Sequence, residues 1–135
     1  MISIDQYFGA FIHHHEVTEE IMDNASNLLD HVDKLMAYAI EDMLTIPVNP
    51  DTNSQVSGRE YGGFRPSDCP IGAKTSAHKT GLAVDIYDPH NTLDEWITDE
   101  MLEECGLYRE APSSTPHWTH LSVRRPPSGH RTFQP

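Results

Sequence analysis

The sequence predicts one α+β domain: a small antiparallel sheet with a polar site on its open face, a long N-terminal helix packed on the other face, and a shorter second helix. Three observations predict it. One stretch has apolar residues at helical period, two later segments alternate with strand period, and 135 residues suit a single compact domain. A hydrophobic content of 37% is enough for a modest core, and no internal repeat marks a second domain.

Residues 1–16 read as an N-terminal arm ending in a solvated turn at His13-His14-His15, because three adjacent histidines cannot all face one ion on a helix or strand. The long helix occupies the region 17–45. Ile21, Ala25, Leu28, Val32, Leu35, Ala39 and Met43 recur at steps of three and four between Thr18 and Leu44, a stripe about 100° wide. Thr18 can cap its start, with Glu19 and Glu20 where the helix dipole favours anions. From Ile46 to Lys74 prolines and glycines exclude a long helix, leaving loop with a short strand near Gln55–Ser57.

The motif-bearing region follows, over 56–135. Gly81–Tyr87 alternates as a strand, with Leu82, Val84 and Ile86 on one face and Ala83, Asp85 and Tyr87 on the other. Thr92–Glu95 fits a capping box opening a helix to Cys105, with a break at Thr98 and Gly106 as its stop. His117–Val123 reads as a second strand with Trp118, His120 and Ser122 on one face, and Arg-Arg-Pro-Pro-Ser-Gly then ends regular structure.

With 9 Lys+Arg against 21 Asp+Glu the chain carries a formal charge of −12, which argues against a nucleic-acid backbone as partner. Arg124, Arg125 and Arg131 gather in the last dozen residues and leave room for a basic corner that receives an anionic ligand. No apolar run of about 18 residues is present, so no membrane-spanning helix is expected. The N-terminus lacks the basic start and apolar stretch of a secretory signal, which points to the cytoplasm. Cys69 and Cys105 form no CxxC and read as free thiols. The nine histidines raise the odds of a metal site.

Three residues stand out for chemistry: His78, Asp85 and His120. An Asp inside an apolar strand is costly unless paired or coordinated. Fully extended, the seven residues from His78 to Asp85 would span roughly 23 Å, so the chain must turn between them, and Gly81 permits that turn. Two imidazoles and one carboxylate around a tetrahedral zinc leave one position for water, the pattern of a catalytic ion. Spacing alone also allows a salt-bridged Asp85 with two ordinary polar histidines.

Ser76-Ala-His78-Lys-Thr-Gly81-Leu-Ala83-Val-Asp85 resembles the SxHxxGxAxD motif of the M15 peptidases at every fixed position. That group comprises D-alanyl-D-alanine carboxypeptidases and phage L-alanyl-D-glutamate endopeptidases, and shares its zinc fold with hedgehog domains. Trp118-Thr-His120 resembles the segment carrying the family's last histidine ligand, and Gly63-Phe64-Arg65-Pro66 resembles its S-G-[YFW]-R segment. The similarity spans Val56 to Pro135.

The resemblance implies Zn2+ on His78, Asp85 and His120. It implies Arg65 as a two-pronged holder of a substrate carboxylate, with Arg59 as the nearby alternative. Ser76 would orient a ligand or the turn, and Trp118 would pack beside the site or stack on substrate. Asp88, His90 and Asp94 would support a ligand histidine or serve turns and caps. Family members place Glu or Asp three residues before the last histidine; His117 stands there, so the general base falls to Glu110 or His117. The implied activity is a zinc metallopeptidase cleaving peptidoglycan stem peptides, as carboxypeptidase or endopeptidase, of phage or prophage origin. The alternative is a zinc-containing, non-hydrolytic phage structural or binding module.

Overall fold

The longest element shows how sequence becomes structure here. In the computed structural model, which describes all 135 residues, helix α2 runs Glu19–Glu41. Thr18 caps it by accepting the N–H of Ile21, as expected. Ala25, Leu28, Leu29, Val32, Leu35, Met36 and Ala39 are buried along one face. The helix ends before the expected Leu44. Met43 adopts a left-handed φ of 68° and is 88% exposed, while Leu44 N–H returns to Ala39 O and Met43 N–H to Ile40 O. That pair of bonds is a Schellman stop built on methionine instead of glycine.

The first sixteen residues are not an arm. Ser3 and Gln6 form a complete capping box on helix α1 (Ile4–Phe8), which buries Tyr7 and Phe8. Phe8 packs 5.6 Å from Phe64 between ring centroids, and Tyr7 donates its hydroxyl to Ala83 O at 2.8 Å. One and a half helical turns are too short to show a period, so the pattern was silent on them. His13 and His15 are exposed in the turn that follows.

The remaining elements are β1 (Ala83–Tyr87), α3 (Thr92–Trp96), α4 (Asp99–Cys105), β2 (Tyr108–Glu110), β3 (Trp118–Ser122) and β4 (Thr132–Phe133). The sheet order is β1-β3-β2-β4. β3 pairs antiparallel with both β1 and β2, but β4 runs parallel to β2, so the sheet is mixed and not purely antiparallel. β2 and β4 have three and two residues, too few to alternate visibly. The stretch near Gln55–Ser57 contributes one bridge, Val56 with Ile86, instead of a strand.

The break at Thr98 and the stop at Gly106 are as expected. The cap at Thr92 is not: Thr92 lies inside α3, and Asn91 before it makes no side-chain cap. Asp88 does that work from outside the helix, accepting the N–H groups of Leu93 and Asp94. Val84, Ile86 and Leu121 turn to α2 and form the core with it, fully buried. Their strand neighbours Asp85 and His120 take the opposite face. No helix is long and apolar enough to cross a membrane.

Candidate metal centre

The centre begins with a turn. Ser76 Oγ accepts the N–H of His78 and starts a 3-10 turn, Ala77–Thr80, that ends at Gly81 with φ 77°. A Cβ at Gly81 would come 2.7 Å from Ile21 O, so glycine is required there for space as well as for conformation. This compact turn folds His78 back over β1. Asp85 then lies directly opposite His120 in the β1–β3 register.

Three donor atoms converge. His120 Nδ1 lies 2.9 Å from Asp85 Oδ1, His78 Nε2 lies 3.3 Å from the same oxygen, and the two imidazole nitrogens are 3.3 Å apart. All three residues are buried. Bonds of about 2.0–2.1 Å in tetrahedral geometry would separate neighbouring donors by about 3.3 Å, so the triangle has the size a small tetrahedral cation needs.

The hydrogen bonds behind the triangle point the same way. His78 Nδ1 donates to Gly63 O at 2.8 Å, which leaves the Nε2 lone pair facing Asp85. Two acceptors at that distance call for a proton or a cation between them. Burial alone would raise the Asp85 carboxyl, yet the adjacent imidazoles hold it well below the usual carboxylate range. Burial disfavours the charged form of His120, but its bond to Asp85 outweighs this and raises its pKa.

Arg65 reaches this set from the lining of the same cleft. Its Nη2 lies 3.2 Å from Asp85 Oδ2 and its Nε donates to Tyr61 O at 2.8 Å. A Cβ at Gly72 would collide with its Nη1. The guanidinium expected to reach a substrate carboxylate thus also braces Asp85, while it lines the cleft. Arg59 stays at the surface beside Asp51.

No family model, curated protein or solved structure matches the chain. The reading of the centre rests on its own geometry.

The triangle forms the floor of a cleft of about 580 Å³, whose walls include Ser76, Glu110, Trp118, Arg124 and Phe133. Glu110 is not on a loop. Tyr108 pairs with Ser122 and Arg109 with Leu121, and the same register carries Glu110 to the level of His120 and to its face. Asp85, His120 and Glu110 thus form a row across β1, β3 and β2, about 4.8 Å per strand. Trp118 is half-buried on the cleft wall, on the same face as His120.

His117 is not part of the site. It is exposed, its ring faces Pro89 O at 3.4 Å, and strand alternation turns it away from His120. Asp88 and Asp94 also lie outside the centre: Asp88 caps α3 and accepts from Thr119, while Asp94 accepts from Thr115 and faces Arg109 at 3.6 Å. His90 is exposed beyond β1. Cys69 and Cys105 are free, as expected. Sequence reasoning missed the Gly63 carbonyl and the cleft-lining Phe133, whereas Arg124, named there as part of a basic corner, does line the cleft. The Gly62-Gly63 pair was a signal for the first, since a Cβ at Gly63 would collide with Tyr7 O.

Proposed function

We propose that the protein is a zinc-dependent peptidase acting on peptidoglycan stem peptides, of phage or prophage origin. One observation carries the reading: a buried two-imidazole, one-carboxylate triangle with edges of 2.9–3.3 Å opens into a cleft that also holds a free carboxylate. The donor set suits zinc, which takes His and Asp at such distances and in catalytic sites retains an open position. Zinc held there would polarise the scissile carbonyl and make a water nucleophilic near neutral pH.

The chain's own groups divide the remaining work. Gly63 O holds the His78 ring in one tautomer, and Arg65 orients the Asp85 carboxylate. Glu110, half-buried and on the face of His120, would take a proton from water and pass it to the leaving amine; the β2–β3 register supports this assignment. Trp118 and Phe133 supply apolar walls on which a peptide can lie. The substrate class itself comes from the motif resemblance.

Zinc-loaded protein incubated with a panel of stem peptides, with Glu110→Gln alongside, tests the proposal. Release of new amines by the wild type, with a loss of about 100-fold or more in the variant, is the expected result. A second reading keeps the ion but not the reaction, and one feature favours it: the position three residues before His120 carries an outward-facing histidine. Zinc binding without cleavage across the panel would select that reading.

A further inference from the structure

Arg59, Arg65 and Arg109 each face a carboxylate, whereas Arg124, Arg125 and Arg131 do not, and of these three only Arg124 lines the cleft. Two arginines reach the cleft. Arg65 is held to Asp85 through Nη2 and to Tyr61 O through Nε. Arg124 is exposed, pairs with no carboxylate, and makes one side-chain bond, from Nη1 to Thr75 O at 2.7 Å.

That bond orients the guanidinium and leaves most of its five N–H donors unused. Its backbone is also held: Arg124 N–H donates to the buried Ser122 Oγ at 2.9 Å, fixing the chain where it leaves β3. Ser122 lies two residues from His120 on the same face, roughly 7 Å along the strand. Arg124 therefore lies along the strand from the metal centre, whereas Glu110 lies across the strands from it.

We propose that Arg124 is the anion-binding residue of the cleft and selects substrates that carry a carboxylate one or two residues from the scissile bond. An oriented guanidinium is suited to a two-pronged bond with such a group, and the acidic remainder of the chain repels anions from other faces. The position of the scissile bond rests on the peptidase reading; the binding of a carboxylate does not. The carboxylate can be a chain terminus or a side chain.

The test measures binding by the full-length zinc-loaded protein, with calorimetry and the arginine Nε–H resonances as readouts. The probes are N-acetyl-D-alanyl-D-alanine, its terminal amide, and N-acetyl-D-alanyl-D-glutamate amidated at the α-carboxyl. At least one carboxylate probe should bind more tightly than the amide and shift the Arg124 resonance, and the tighter of the two names the source. Arg124→Gln should weaken that probe about 10- to 100-fold, leave the amide unchanged and leave zinc content unchanged. Arg124→Lys, which keeps charge without the fork, should fall between. Equal binding of all probes by the wild type, or an undiminished carboxylate preference in Arg124→Gln, overturns the proposal. Carboxylate preference without hydrolysis of any peptide would sink the peptidase reading and leave this one standing.

Discussion

Replacing Asp85 by Asn keeps the shape of the side chain and removes its charge, which probes the centre most directly. In the metal-free protein Asp85 faces His120 at 2.9 Å, His78 at 3.3 Å and the Arg65 guanidinium at 3.2 Å. Arg65 is 11% exposed, so the variant would leave a nearly buried cation without its counter-ion. Breaking such a pair costs about 3–5 kcal/mol. Zinc affinity should fall by at least about 100-fold, since losing even a supporting partner of a ligand costs 10- to 100-fold.

Urea unfolding of the chelated protein at pH 7 and competition with a chromogenic zinc chelator measure the two effects. The pH dependence adds a sign. A carboxyl held below its ordinary value contributes stability that is present above pH 4 and lost as pH falls through the native pKa. His120, raised above its ordinary value, contributes stability that is full below about pH 6.5 and lost as pH rises through the native pKa. Both slopes should vanish in the variant. A loss under about 1 kcal/mol, with zinc affinity unchanged, would refute the convergent site.

Other expectations follow from the same structure. Zinc at a hundred times its Kd should stabilise the wild type by about 2.7 kcal/mol, and a His78→Ala, His120→Ala double variant should abolish this while alanines at His13–His15 do not. Peptide hydrolysis should decline below about pH 6 as the ligand imidazoles protonate; a flat profile from pH 5 to 8 would contradict it. Met43→Gly should raise the urea midpoint by the equivalent of about 0.5–1 kcal/mol, because methionine holds a left-handed φ of 68° with nearly all of its side chain in solvent. Burial and the nearby Asp88 charge raise Asp94 to about 6 despite Arg109, so the native state binds this proton more tightly than the unfolded chain. Its contribution to stability should therefore drop as pH rises from 4 to 6, and Asp94→Asn should flatten that part of the urea-midpoint profile.

Legibility followed element length. Helix α2 and strands β1 and β3 could be read because each repeats its period several times on a half-buried surface. Helix α1 and strands β2 and β4 span two to five residues, too few to repeat a period visibly. The consequence at the site was specific: with β2 unseen, only the resemblance pointed to Glu110 as a base candidate, whereas the sheet sets it beside His120. His117 was excludable earlier, since the alternation that put His120 on the open face put its odd-numbered neighbour on the other.

The residue types and spacing pointed to an α+β fold, the covering helix, and three side chains that spacing alone left open as an ion-binding set, because burial patterns and a costly strand aspartate are local properties. Only the tertiary structure decided which arginine braces the centre and which remains open, and which carboxylate stands beside it. Those roles depend on pairings between segments as far apart as Arg65 and Asp85, or Thr75 and Arg124, and such contacts exist only once the chain has closed its loops.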